Sequence, residues 1–285
     1  MRRALRWAGY AAGGLFVLVV LGAAYIWIAS NRAVHARVTA KPERLAGATP
    51  AQLADGQRQL QVLGCVSCHG EGLRGNKFFD EPNVATLHAP NLTLVAAEAS
   101  DQQLAQGIRQ GVGHDGRSLF AMPSAQYSRL TDGEVAALIH AIRALPRGGE
   151  QTPPVHLGPI GRIGLVTGKF KPQPQLVAEY AERMPADLGP QFARGRHLAM
   201  TNCAECHGPS FGGAEPKPGL KAPDLDIAGA YDLAAFTRLM RDGVPASGKD
   251  LDMMDDIARN DLRHLRDDEI AAIHAYLAAR AQRSR

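Results

Sequence analysis

Cys65-Val66-Ser67-Cys68-His69 and Cys203-Ala204-Glu205-Cys206-His207 are one short sequence written twice, C-x-x-C-H. Two thiols three positions apart fit one helical turn. Each can add to a vinyl group of a haem as a thioether, and the following imidazole then faces the iron as its proximal ligand. These motifs use all four cysteines of the 285-residue chain, leaving none for a disulfide. The competing readings are a thiol–disulfide centre, half of a zinc site, or one four-thiolate zinc site shared by both pairs. A zinc ribbon needs no histidine after the second cysteine of each pair, and its halves lie much closer together. Two covalently bound haem c groups (iron) are therefore the expected cofactors.

Working outward, the motifs sit in two stretches of the same plan. Arg58 and Leu60 precede the first motif as Arg196 and Leu198 precede the second. Ala89-Pro90-Asn91-Leu92 is matched by Ala222-Pro223-Asp224-Leu225. Leu104, Ile108 and Gly111-Val112 are matched by Phe236, Met240 and Gly243-Val244, and Leu130 to Glu134 by Leu265 to Glu269. The internal duplication is the main architectural signal. Helical periodicity begins near Ala51, and Asp101 is placed to cap a helix through Leu104 and Ile108. Thr131 to Glu134 has capping-box spacing ahead of a last helix carrying Val135, Leu138, Ile139 and Ile142.

An iron that shuttles electrons needs a second strong ligand. Met122 lies just before Pro123, in a stretch that proline forces out of the helical region. It follows Pro90 by 32 positions, while Met254 follows Pro223 by 31 and Met253 by 30. The repeat favours Met122 and Met254 as iron ligands beside His69 and His207, with Met253 as the rival in the second half. Met200 and Met240 fall at helical core positions. His88, His114 and His264 are read as surface or propionate-side histidines.

Trp7 to Ser30 is a run of 24 uncharged residues, about 36 Å as a helix and long enough for a bilayer core. Arg2, Arg3 and Arg6 precede it, which favours a cytoplasmic N-terminus, and Tyr25 and Trp27 fall where an aromatic belt belongs. An uncleaved anchor is favoured over a cleaved signal peptide, since no A-x-A site ends the run. The haem portion would then lie on the periplasmic side of the inner membrane. The net charge of +4 is mild, and three of its positive charges are those arginines, so nothing points to nucleic acid. The expected divisions are an anchor (1–30), a tether (31–50), a first haem domain (51–146), a Pro/Gly-rich strap (147–185) and a second haem domain (186–285). The strap carries Ile160, Ile163, Leu165 and Val166 and is expected to bury them across both domains.

C-x-x-C-H, then A-P-N-L, then a loop methionine and a capped last helix resembles class I cytochrome c, in tandem over Ala51–Pro146 and Leu188–Arg280. Ala89-Pro90-Asn91-Leu92-Thr93, Asp115-Gly116-Arg117 and Ala121-Met122-Pro123 look like the cytochrome subunits of bacterial membrane-bound alcohol, gluconate and sorbitol dehydrogenases. Those proteins usually carry three haem domains, and this chain has two. The resemblance implies an all-α fold of two tandem cytochrome c-like domains after one transmembrane helix. It implies that the carbonyls of Pro90 and Pro223 hold the rings of His69 and His207. It also implies an aromatic residue against the haem in the last helix, which Tyr276 supplies in the second half and Ala141 does not in the first. The functional expectation is a membrane-anchored electron carrier between a periplasmic dehydrogenase or quinol-oxidising complex and an oxidase or soluble cytochrome. The alternatives are the electron-accepting subunit of a dehydrogenase, a dihaem peroxidase with one open iron, and a haem gas sensor, whose signalling domain the sequence lacks.

Overall fold

In a computed structural model of the chain, residues 2–45, 47–217 and 219–283 are described. Met1, Ser284 and Arg285, the outermost residues of the expected anchor and second domain, lie outside them, as do Ala46 and Pro218. The fold is mostly helical. Helix α1 (Arg2–His35) is long and apolar. The first half follows with α2 (Pro50–Val62), α3 (Cys65–His69), α4 (Leu92–Glu98), α5 (Asp101–Gln110), α6 (Ser124–Tyr127) and α7 (Asp132–Arg143). The strap holds α8 (Pro159–Val166) and α9 (Gln173–Ala181). The second half contains α10 (Ala193–Asn202), α11 (Ala204–His207), α12 (Leu233–Asp242), α13 (Met253–Asn260) and α14 (Asp267–Arg283).

Each half is built on a crossing between the helix before its C-x-x-C-H and its last helix. Glycine makes the crossing close. A Cβ on Gly56 would stand 2.7 Å from the Ala137 carbonyl oxygen and 3.1 Å from the Ala141 methyl. A Cβ on Gly195 would overlap the Ala272 carbonyl and come 2.9 Å from Tyr276 Cβ. Around each crossing the apolar residues of the repeat close a core: Leu60, Leu104, Ile108, Val135, Leu138 and Ile142 in one half, Phe236, Met240, Ile270, Ile273 and Leu277 in the other. Met200 and Met240 are core residues, as their spacing predicts.

Three local features differ from the sequence reading. Ser100, not Asp101, caps α5: its hydroxyl accepts from the Gln103 N–H and the Gln103 side chain closes a capping box. Two small antiparallel sheets accompany the helices. The first orders β1 (Asn76–Glu81), β2 (Ala85–Ala89) and β3 (His156–Leu157); the second pairs β4 (Ala214–Lys217) with β5 (Leu220–Ala222). The strap buries only part of its apolar set. Leu165 is buried, whereas Ile160 and Ile163 are 59% and 46% exposed, because α8 turns its Gly161 and Leu165 side to the β1–β2 turn.

The halves meet in a reciprocal interface. Ser67, inside the first C-x-x-C-H, donates to Asp261, just past α13; the backbone N–H of Glu205, inside the second, donates to Gln126 Oε1 on α6 at 2.8 Å. Arg58 on α2 forms a two-pronged pair with buried Glu269 at the start of α14, at 2.8 and 2.9 Å. His197 on α10 meets Glu134 at the start of α7 at 2.8 Å. Each attachment helix thus packs on the segment that follows the other half's candidate methionine, as a pseudo-two-fold relation requires.

Acid loosens this contact at a defined place. Burial alone raises the Glu134 carboxyl, but the His197 and Thr131 hydrogen bonds hold it below its ordinary value. A carboxylate whose folded pKa is depressed stabilises the fold above its unfolded pKa of ~4, and that stability is lost as pH falls through the folded value. Glu134→Gln keeps the capping box but removes the charge. The variant is expected to melt ~2–4 °C below wild type at pH 7, with the gap closing as pH drops toward 3, read by calorimetry. A gap that widens in acid contradicts the assignment.

Candidate functional site: two haem-attachment centres

In the first half α3 follows Gly64, and its two thiols are one helical turn apart. Burial, then the neighbouring Cys68, then Asp261, push the Cys65 thiol up to about 12; burial leads the rise at Cys68 as well. Cys203 is likewise pushed up to about 12, chiefly by burial. Reactive and disulfide-exchanging thiols have depressed values, the opposite direction to the one burial gives these thiols. Among the described residues no three His, Cys, Asp or Glu side chains gather as a metal cluster.

His69 Nδ1 lies 2.8 Å from the Pro90 carbonyl oxygen, and His207 Nδ1 lies 2.8 Å from that of Pro223. An Nδ1–H donating to a carbonyl fixes the ring and its tautomer, leaving Nε2 as the free lone pair. Burial lowers the pKa of both rings, against the opposing carbonyl contacts, which favours the neutral imidazole that a metal requires. The chain returns from each histidine by the same turn. The N–H of Gly75 donates to the His69 carbonyl at 2.7 Å, and that of Gly213 to the His207 carbonyl at 3.0 Å. Both glycines have positive φ, at +93° and +86°, and a Cβ on either would press on the backbone that carries the proline carbonyl.

Two residues of this turn have no sequence signal of their own. Leu73 and Phe211, each four positions after the histidine, are fully buried with φ of 54° and 66°. Left-handed backbone at a bulky residue is costly and persists where surrounding packing enforces it. Its recurrence in both halves ties it to the attachment site. Phe211 packs edge-to-face on Tyr276 at 6.3 Å, and Tyr276 donates to the Ala186 carbonyl at 2.9 Å. Leu73 and Ala141 hold the corresponding places in the first core, with less bulk.

A cavity of about 620 Å³ opens in the first half, lined by Cys65, Cys68, His69, Pro90, Met122 and Tyr127 among others. The structure thus brings both thiols, the imidazole and the loop methionine to one apolar space of cofactor size. His88 and His114 also line it, and His88 Nδ1 is buried without a hydrogen-bond partner. Such an orphaned polar atom suits a carboxylate-bearing group in the cavity. The donor set and space fit a haem. Tyr127, absent from the sequence reading, lines the cavity and donates its hydroxyl to the Leu63 carbonyl beside the motif.

In the second half Met253 and Met254 open α13, so this methionine pair is helical where Met122 is not. Met254 packs against the second core, and Met253 is not among the residues that do. His264 belongs to the interface: its carbonyl accepts from Arg58 at 2.8 Å.

The cytochrome c family model matches residues 53–146 and again 192–280, together more than half of the chain. No curated protein matches the sequence. With the motif, the histidine–proline contacts and the two matched regions in agreement, the chain belongs to the cytochrome c family, as a haem-based electron-transfer protein with two such domains.

Proposed function

We propose that this protein is a membrane-anchored dihaem cytochrome, carrying single electrons between a periplasmic or quinol-linked donor and a respiratory acceptor. Cys65 and Cys68 would hold one haem and Cys203 and Cys206 the other, with His69 and Met122, and His207 and Met254, as axial pairs. Bound haem supplies an iron that cycles between ferric and ferrous states. The protein's own residues do the rest. The Pro90 and Pro223 carbonyls orient the imidazoles, and the two thioether sulfurs favour ferrous iron. Leu73, Tyr127, Phe211 and Tyr276 exclude water.

The observation that carries this reading is the reciprocal interface. Ser67 and Glu205 lie inside the attachment motifs, and both make contacts across it. Each attachment motif therefore abuts the other half of the chain, which supports electron exchange inside one chain. The long apolar α1 supports a membrane anchor, and Arg2, Arg3 and Arg6 before it favour haem domains on the periplasmic side. Donor and acceptor would dock transiently on small surfaces.

The test is flash reduction of the purified, detergent-solubilised holoprotein by a small one-electron donor. Both haems are expected to be low-spin at rest and to equilibrate in a phase whose rate does not change on dilution. Two independent reductions, or one resting high-spin haem with peroxide turnover, would overturn the carrier in favour of a dihaem peroxidase.

A further inference from the structure

We infer that α8 is a lipid-contacting helix, its Ile160 and Ile163 lying in the bilayer surface beside the emerging end of α1. The inference rests on α1 spanning the membrane. It begins with the part of the strap that stays uncovered. Ile160 and Ile163 are three residues apart, so they share one helix face. Opposite them, Leu165 is buried and Gly161 abuts the Val84 carbonyl. The helix is amphipathic in the sense that one side is fastened to the protein and the other is apolar and bare.

The fastening fixes its level. The Arg162 guanidinium lies 3.9 Å from the centroid of the Trp27 ring. The same side chain donates to Ser30 Oγ at 2.8 Å, to Asn31 Oδ1 at 2.9 Å and to the Leu157 carbonyl at 3.1 Å. Ser30 is fully buried in this clamp, the only buried residue among those described in α1. Counting up the helix at ~1.5 Å per residue, Trp27 stands ~30 Å above Trp7, the thickness of a hydrocarbon core. Trp27 therefore marks the membrane–water boundary, where tryptophan is favoured. Arg162 on its ring places Ile160 and Ile163, both within two residues, at the same height. Trp27 and Ile28 of the anchor, against which α8 packs, are exposed as well. Exposed Lys169 and Arg32 flank it at headgroup level.

The occupant is thus the lipid surface. The consequence reaches the first haem centre. Val34, two turns beyond Trp27 on α1, lines the 620 Å³ cavity and packs with the small core of Ala85, Leu157 and Leu165. Anchor, strap helix and first cavity form one unit, which holds that haem next to the bilayer.

The test uses the full-length holoprotein in vesicles of phosphatidylethanolamine and phosphatidylglycerol doped with a phospholipid carrying a diazirine in its acyl chain. After irradiation, lipid adducts are mapped by mass spectrometry. Adducts are expected on Leu15–Leu21 of α1 and on α8, each several-fold above the peptide carrying exposed Lys249. Paired Ile160→Asn and Ile163→Asn substitutions should remove the α8 adducts and leave both haem spectra unchanged. Labelled α1 with α8 at the Lys249 level overturns the inference and leaves the anchor standing, as do α8 adducts that survive the paired substitutions. An unlabelled α1 overturns both.

Discussion

Met122→Ala is expected to turn one of the two haems high-spin while the other keeps its spectrum. In the proposed ligation the Met122 thioether is the second axial donor of the first haem; His88 and His114 also line the cavity. Its removal also withdraws the ligand that favours ferrous iron. The potential of that haem should fall by on the order of 0.2 V, a fraction of the ~0.8 V range that axial ligands span. Ferric EPR, the methionine–iron charge-transfer band and a spectroelectrochemical titration read all three effects. Met254→Ala should do the same to the second haem, and Met253→Ala should leave it low-spin. Met200→Ala, in the buried core, should cost stability and change neither spin state. If Met122→Ala leaves both charge-transfer bands intact, the proposed ligand is wrong. A low-spin product lacking that band would identify a nearby histidine as a replacement.

The second large effect belongs to the helix crossing. Gly195→Val is expected to prevent the second half from folding around its haem. A Cβ there already overlaps the Ala272 carbonyl and sits 2.9 Å from Tyr276 Cβ, so neither contact can yield at the end of a flexible side chain. Overpacking a core by a methylene or two costs ~1–3 kcal/mol where neighbours can shift. A branched residue against backbone at the centre of the crossing exceeds that and approaches the ~5–15 kcal/mol total stability of a domain. Gly56→Ala should be milder, since its nearest neighbour is at 2.7 Å. Haem content per chain and thermal melting measure both. A Gly195→Val protein with two haems and an unchanged melt would show that the crossing is not required.

How far the residues announced this arrangement depends on the range of the interaction. The attachment motifs and the Thr131 capping box are local in sequence, and the cap stands where its spacing puts it; the histidine–proline contacts span longer stretches and are those the resemblance to cytochrome c implies. Ser100 was obscured by Asp101 beside it, because either can cap and only the backbone angles decide. The sheets were hidden for a different reason. β3 is two residues long and pairs with β2 across the intervening α4 to α7, so it leaves no periodic signal. Leu73 and Phe211 look like ordinary apolar residues, since left-handed backbone is imposed by packing and not by side-chain type. The exposure of Ile160 and Ile163 was the least legible. An apolar strap reads as something to bury, and only the position of α8 beside α1 separates the side that faces protein from the side that does not.

The reciprocal contact between the halves has a meaning beyond the distances within it. A surface matched to its own counterpart through a two-fold axis is what two free copies of one domain would use to pair. Joining the copies end to end replaces an encounter that dilution can abolish with one fixed at an effective concentration on the order of millimolar. The duplicated chain is in that sense a dimer made permanent. The two halves are not identical at their cores: Phe211 with Tyr276 in one stands against Leu73 with Ala141 in the other.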